Sequence, residues 1–335
     1  MHAIQRDDLY KKRLIDCIRC EYGISATFLA EANRGFYAET WRLDSTGSSD
    51  SSESTKASRS CFLKINYSSD KETYANNLPV IEHLHHHGVN AISSIVKTAD
   101  NRLFTEFDGA VLAIFDWIDG ENIQDESTKI PEYRILGKVY SVPADELLIT
   151  NKLTREDFTA DSASLFLHQW AELKKQTDKC TQHVSAILDE HREQLIHNSE
   201  RLKLLSIKCR LKCDHFYITH GDAGANIIKN GNSYYLVDWD NPLLAPVERD
   251  AWFCLYWGDW ALSAFTDSLR DNGIEYSVRN ERMAYYGYHN YFFRLTEYMK
   301  TYFSSGQNKE EIPGKLQEFF KYWIDEEIKR IDGMK

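Results

Sequence analysis

The chain has 335 residues, 42% hydrophobic and 13% aromatic, enough apolar material for a large core, so a wholly disordered chain is excluded. With 40 Lys and Arg against 51 Asp and Glu, the formal net charge is −11, which repels polyanions, argues against a nucleic-acid partner and favours a small cationic substrate. The charged start Met1-His-Ala-Ile-Gln-Arg-Asp-Asp-Leu9 lacks the apolar centre of a signal peptide. The most apolar stretch, Ala251 to Phe265, is interrupted by Asp259 and is too short to span a bilayer, so a cytoplasmic protein with no membrane partner is expected. Its seven cysteines, an odd and scattered set, read as reduced thiols.

In chain order, residues 8–21 place apolar side chains at helical spacing, with Leu9, Leu14, Cys17 and Ile18 on the predicted core face. Strands are predicted over Ile24–Ala30 and Tyr37–Leu43, joined by Glu31-Ala-Asn-Arg-Gly-Phe36. The serine-rich run 44–59 is too polar to bury anything and predicts a disordered connection. Cys61–Ile65 is a short strand, residues 71–87 a helix stopped by Gly88, and Arg102–Phe107 with Val111–Ile118 a hairpin around Asp108-Gly109. After Gly120 helical periodicity dominates, over 131–141, 163–177, 182–204, 248–270, 280–304 and 309–331, and the strands predicted there are Phe216–Thr219 and one hairpin. The pattern predicts an α+β chain of two lobes: a small antiparallel β-sheet lobe, residues 1–118, and a larger, mostly helical lobe, residues 119–335.

Chemistry-bearing residues concentrate in Ile218-Thr-His-Gly-Asp-Ala-Gly-Ala-Asn226 and Leu236-Val-Asp-Trp-Asp240. Between them, Asn230-Gly231 flanked by alternating apolar residues signals a hairpin. A two-residue loop at Asn230-Gly231 sets Asp238 opposite Ala223; a four-residue loop over Asn230–Ser233 sets it opposite Ala225. In either register Asp222, Asn226 and Asp238 crowd at the open end of the hairpin. Two carboxylates and an amide oxygen are hard donors that suit Mg²⁺ better than a soft metal, and they outline a phosphoryl-transfer site. Asp240 would share a face with Asp238 on an extended segment, and by that spacing it either supports the metal ligands from behind or is a second metal contact. A metal-dependent hydrolase built on His220, Asp222, Asp238 and Asp240 lacks the further histidine ligands it needs.

His220-Gly-Asp-Ala-Gly-Ala-Asn-Ile-Ile228, followed by Leu236-Val-Asp-Trp-Asp-Asn-Pro-Leu-Leu-Ala-Pro-Val-Glu-Arg-Asp250, resembles the aminoglycoside phosphotransferase and choline kinase family. The segment 238–250 is most similar to its spectinomycin phosphotransferase-type bacterial members. The likeness is strong over residues 218–253 and diffuse elsewhere. It implies a bilobal protein-kinase-like fold, ATP (GTP not excluded) with Mg²⁺, and transfer of the γ-phosphate to a hydroxyl of a small molecule, an aminoglycoside or aminocyclitol antibiotic. A choline, homoserine or sugar-type kinase shares these motifs, and a catalytically weak nucleotide-binding protein is a further alternative. The same resemblance makes Asp222 the catalytic base, Asn226 and Asp238 metal ligands, and Asp250 a brace for the catalytic loop. The chain departs from the family in one respect: only Ala223-Gly-Ala225 separates Asp222 from Asn226, where four residues are usual. Gly224 is expected to supply the backbone freedom that still aims the amide inward.

Upstream, Lys64 sits in the apolar strand Phe62-Leu-Lys-Ile65, where an inward lysine needs a buried anion. The resemblance makes it the lysine that contacts the nucleotide's α- and β-phosphates. Its usual helix glutamate has no clear counterpart: Asn77 aligns at that place, Glu72 lies upstream and Glu82 downstream. Asn33, Arg34 and Gly35 take the place of the phosphate-covering loop, with backbone N–H groups and a cation to offer, although a plain hairpin turn fits them equally. Phe115 and Trp117 stand where the family's hinge passes adenine, with backbone groups available to the base. His85, His86 and His87 point three ways on a helix and fit a helix end better than a metal site. Trp252, Tyr256, Trp257 and Trp260 read as core aromatics.

Overall fold

The computed structural model describes residues 6–32, 38–45, 59–67, 71–144, 153–211, 215–304 and 309–333. The chain forms two compact units, Met1–Thr154 with His220–Leu243, and Arg155–Thr219 with Leu244–Lys335.

The first unit is built on a six-stranded antiparallel sheet: β1 (Ala26–Glu31), β2 (Glu39–Ser45), β3 (Arg59–Asn66), β4 (Ile95–Val96), β5 (Thr105–Phe107) and β6 (Ala110–Asp116). The strand order is β1-β2-β3-β6-β4, with β5 paired to β6. Period-two alternation along β3 sends Cys61, Leu63 and Ile65 into the apolar core and turns Lys64 to the opposite face. Helix α1 (Asp8–Tyr22) closes that core with Tyr10, Leu14, Ile18 and Tyr22, four residues apart, each fully buried apolar side chain stabilising by about 1.5–3 kcal/mol. The helix starts at Asp7, whose Oδ1 accepts the Tyr10 amide at 2.8 Å, and stops at left-handed Gly23. Leu14 and Ile18 are buried as expected and Cys17 packs against the core, but in the first turn Tyr10 is inside and Leu9 is exposed.

The β5–β6 hairpin turns at Asp108 and Gly109, φ 49° and 76°, the pair of positive angles a type I′ turn needs. β2 and β3 stay paired out to Ser45 and Arg59, so the sheet takes up both ends of the serine-rich run; residues 46–58 lie outside the described residues. The single helix expected over 71–87 is two, α2 (Lys71–Asn77) and α3 (Pro79–His86), because Pro79 has no N–H to continue the ladder and starts a new helix instead. His85 and His86 occupy the last turn of α3 and His87 its C-cap.

A three-stranded sheet, β10 (Ser233–Leu236), β9 (Ile227–Asn230) and β7 (Glu121–Asn122), and helix α4 (Lys129–Ser141) complete the unit. β7 was absent from the sequence pattern. Gly120, φ 129°, precedes it, and a Cβ there would collide with the Lys229 carbonyl, so only glycine lets β7 lie on β9. Compactness thus groups β7, α4 and the 227–236 hairpin with the N-terminal sheet, a different division from a cut at residue 118.

The second unit is helical: α5 (Asp161–Leu173), α6 (Lys179–Glu190), α7 (Arg192–Leu211), α8 (Glu248–Ala251), α9 (Asp259–Asp271), α10 (Asn280–Phe303), α11 (Ile312–Tyr322) and α12 (Asp325–Gly333). A strand pair unites β8 (Tyr217–Thr219) with β11 (Leu243–Ala245), the latter also unexpected. α10 is the central element, burying Tyr285, Tyr288, Tyr291, Phe292 and Leu295 against α5, α7 and α12. At Gly287 an added Cβ would lie 2.8 Å from Ile328 Cγ1, so the missing side chain sets how closely α12 approaches. Three predicted helices are broken in two: at His191, at the turn ending in left-handed Gly258, and at extended Trp323. Trp252 is buried, whereas Tyr256 and Trp260 are exposed. No described helix is long and apolar enough to cross a membrane.

His289 on α10 is pushed down to about 4 by burial and then by the Arg249 charge. Its unfolded pKa of about 6.5 is higher, so between about pH 4 and 6.5 the unfolded chain binds more protons and stability rises with pH. His289 therefore contributes fully above pH 6.5, and about 3 kcal/mol is lost as pH falls through 4. Urea unfolding at pH 7.5 and 5 is expected to show a smaller pH difference for His289→Gln than for the parent. Equal differences would remove His289 from the acid sensitivity.

Candidate active site

The 227–236 hairpin positions the chemistry. Ser233 pairs with Asn230 and Leu236 with Ile227, so the loop is Gly231-Asn232 and the register is that expected from the longer of the two loop alternatives. Gly231 takes φ 57° at the first central position. One step further along, the Val237 amide donates to the Asn226 carbonyl at 2.9 Å, which sets the Asn226 and Asp238 ends side by side. β10 is anchored in turn, with the Leu236 amide donating to the Ala91 carbonyl at 2.9 Å.

His220 ties the two motif segments together. Its Nε2 donates to the Val237 carbonyl at 2.9 Å and its Nδ1 accepts the Asp222 amide at 3.2 Å, which fixes the neutral Nε2–H tautomer. The ring is buried and meets Trp239 edge-on at 4.7 Å, and the Trp239 indole N–H donates to the Leu236 carbonyl at 3.1 Å. With both neighbours so held, Asp238 adopts φ 68°, a left-handed conformation uncommon for aspartate. The segment 238–240 is therefore not extended, and the shared face expected for Asp238 and Asp240 has a different origin. Both carboxylates converge on Lys64: its Nζ lies 2.5 Å from Asp238 Oδ1 and 2.6 Å from Asp240 Oδ2.

Lys64 thus has its anion, and it is not a helix glutamate. Glu72 is exposed and Glu82 pairs with Lys97 at 2.6 Å. Asn77, aligned at the glutamate's place, donates to the Asp240 backbone carbonyl at 2.8 Å. One ammonium faces two carboxylates, and the electrostatics divide accordingly. Burial disfavours the charged form of each acid, but the Lys64 charge and hydrogen bond outweigh it at Asp238, whose pKa is lowered. At Asp240 burial prevails, with Asp238 adding repulsion, and the pKa is pushed up to about 6. Burial also works against the Lys64 charge, but the two aspartates more than offset it and raise its pKa.

The short loop is a 3₁₀ turn over Ala223–Ala225. Gly224 is not among the residues with positive φ; the left-handed glycine is Gly221, φ 86°, just before Asp222. Asn226 Nδ2 donates to the Asp222 carbonyl at 2.7 Å and approaches Asp222 Oδ2 at 3.3 Å, which assigns Nδ2 as the amide end that faces Asp222. The loop carbonyls are taken up as well. Ala223 accepts from the Asn226 amide at 3.1 Å, Gly224 from Lys129 Nζ at 2.9 Å, and Ala225 from Asn122 Nδ2 at 3.0 Å and Gln124 Nε2 at 3.3 Å. None of these side-chain donors was singled out from the sequence, where the available signal is Lys129 and Glu132 three apart at a helix start.

Asn33, Arg34 and Gly35 lie outside the described residues. Phe115 is buried within β6, between Phe62 and Ile95 of the neighbouring strands. The amides beyond it are committed to the sheet, Asp116 donating to the Ser94 carbonyl at 2.9 Å and Trp117 to the Ser60 carbonyl at 3.2 Å, so two of the backbone groups in this segment are engaged there. The Trp117 ring is covered by the Arg42 guanidinium, 4.8 Å from the ring centroid. Among the described residues no three His, Cys, Asp or Glu side chains gather as a metal site of their own.

Neither a family model nor a curated protein matches the chain. Among solved structures, a spectinomycin phosphotransferase in complex with ADP and spectinomycin matches with a TM-score of 0.78 at 20% identity, over 96% of this chain and 98% of that one. The fold is that of the aminoglycoside phosphotransferases. An aminoglycoside phosphotransferase from Alicyclobacillus acidocaldarius matches at TM-score 0.59 and 11% identity, over 93% and 95% of the two chains. An amicoumacin kinase in complex with AMP-PNP and Ca²⁺ matches at 0.55 and 15%, over 97% and 96%.

Proposed function

We propose that the protein is an ATP- and Mg²⁺-dependent phosphotransferase that moves the γ-phosphate to a hydroxyl of a cationic aminocyclitol or aminoglycoside antibiotic. It would act in the cytoplasm, where ATP is supplied, and confer resistance. The convergence of Asp238 and Asp240 on Lys64, in a unit that also holds Asp222 and Asn226 side by side, carries this proposal. Its substrate class is supported by the match to a structure holding ADP and spectinomycin.

Each residue has a chemical task. Asp222, exposed at the tip of the loop, accepts the proton of the attacking hydroxyl. The Lys64 ammonium has three N–H donors and spends two on aspartates, so a third is available to a phosphate oxygen. Asp238, Asp240 and Asn226 supply the oxygens that would hold Mg²⁺. The donor set fits: all are hard ligands, the Asp238 side chain is 41% exposed, and two carboxylates exceed the single ammonium by one negative charge. When bound, the ion neutralises phosphate charge. Phe115 and Trp117 mark the adenine side, and Asn33, Arg34 and Gly35 the phosphate-covering loop.

ATP consumption across a panel of aminocyclitols, aminoglycosides, choline and sugars tests the proposal, with acceptor-dependent turnover expected for the antibiotics. The net charge of −11 adds a second expectation. For a cationic acceptor kcat/KM should fall as salt rises, because the Debye length shrinks from about 30 Å at 0.01 M to about 8 Å at 0.15 M. ATP, an anion, should show a flat or opposite trend. A neutral best acceptor, or one insensitive to salt, would favour a sugar-type kinase.

A further inference from the structure

We infer that Lys129, paired with Glu132, is a positioning residue that holds the short Asp222–Asn226 loop in its working conformation. This rests on the reading of Asp222 and Asn226 as phosphoryl-transfer residues.

Lys129 is poorly placed by every local criterion. It opens α4, where a cation meets the positive end of the helix dipole. Its side chain is only 3% exposed, and an ammonium out of water is unfavourable unless fully partnered. Its partners include Glu132 Oε2 at 2.7 Å, itself buried in the first turn of α4, and the Gly224 carbonyl at 2.9 Å. Stability alone does not select such a pair, because apolar residues of similar volume are often neutral or stabilising in its place.

The position of the second partner supplies the reason. Gly224 is the middle residue of the loop, and its peptide is the one most able to rotate. Its neighbours are tied by neutral hydrogen bonds, from the Asn226 amide to the Ala223 carbonyl and from Asn122 and Gln124 to the Ala225 carbonyl. The bond from Lys129 is charge-assisted and therefore the stronger kind. Anchoring the central carbonyl leaves a loop with three residues between its functional ends little freedom, and both ends carry the groups whose placement matters. A misplacement of about 1 Å in such groups can lower a rate by about 10²-fold.

The test is the double variant Lys129→Met with Glu132→Met, which removes both charges and strands neither. Its melting temperature is expected to hold or rise. Its kcat should fall by about 10- to 100-fold, the usual effect of losing a group that orients a functional one, with KM for ATP little changed. Hydrogen exchange should quicken in the 220–228 peptide and not across the rest of the first unit. An active parent and an equally active double variant with unchanged loop exchange would overturn this inference alone. A joint fall in melting temperature and kcat, with faster exchange throughout the unit, would overturn it too, by making the pair a fold element. A parent that transfers no phosphate to any acceptor would instead overturn the proposed function, and this inference with it.

Discussion

Asp222→Asn is expected to lower turnover by at least about 10²-fold while leaving nucleotide binding nearly intact. The loop should survive the change, because two of its ties to this residue run through the backbone: the Asp222 amide donates to His220 Nδ1 and the Asp222 carbonyl accepts from Asn226 Nδ2. The 3.3 Å approach of Asn226 Nδ2 to Oδ2 involves the replaced group, and an asparagine amide oxygen can still accept there. What disappears is the proposed base and a negative charge at an exposed position. Steady-state kinetics beside calorimetric titration with ATP separate the two effects. Turnover at the parent rate would remove Asp222 from the chemistry, and a large loss of ATP affinity would make its role electrostatic.

Asp238→Ala should have a comparably large effect through a different route. It removes the proposed anionic metal ligand, and the gain in ATP affinity expected from Mg²⁺ should vanish, with turnover down by about 10²-fold or more. Lys64 keeps Asp240 as partner at 2.6 Å, so the sheet that carries it should remain folded. Asn226→Ala removes the proposed neutral ligand and should retain part of the Mg²⁺ effect. Titrations of ATP with and without Mg²⁺ on both variants decide. Equal losses would show that the shortened loop presents Asn226 as fully as the aspartate, and an undiminished Mg²⁺ effect in Asp238→Ala would place the ion elsewhere.

Local patterns carried much of the architecture. Alternation in residues 61–65 was enough to turn Lys64 away from the core, and Asn230-Gly231 with its apolar flanks was enough to bring Asp222, Asn226 and Asp238 to one end of a hairpin. Helix breaks were less legible: Pro79 is visible as a breaker, but His191 and Trp323 end helices inside uninterrupted helical periodicity. The partners of Lys64 escaped for a physical reason. An extended segment would send alternate residues to one side, whereas the left-handed backbone at Asp238 makes the two carboxylates meet by a turn, a conformation imposed by His220 and Trp239 rather than by local propensity. The bond from Lys129 to Gly224 joins residues 95 positions apart, and no periodicity or spacing rule reports contacts of that range.

Product analysis tests the central claim most directly. ATP labelled at the γ-phosphate is incubated with Mg²⁺ and an aminocyclitol antibiotic, and the acceptor is recovered for mass spectrometry and phosphorus NMR. The expected product carries one phosphoryl group as a monoester on a hydroxyl, formed by the parent protein and at least about 10²-fold more slowly by Asp222→Asn. Bound nucleotide with no label on any acceptor, or label released only as inorganic phosphate, would contradict phosphotransfer to a small molecule.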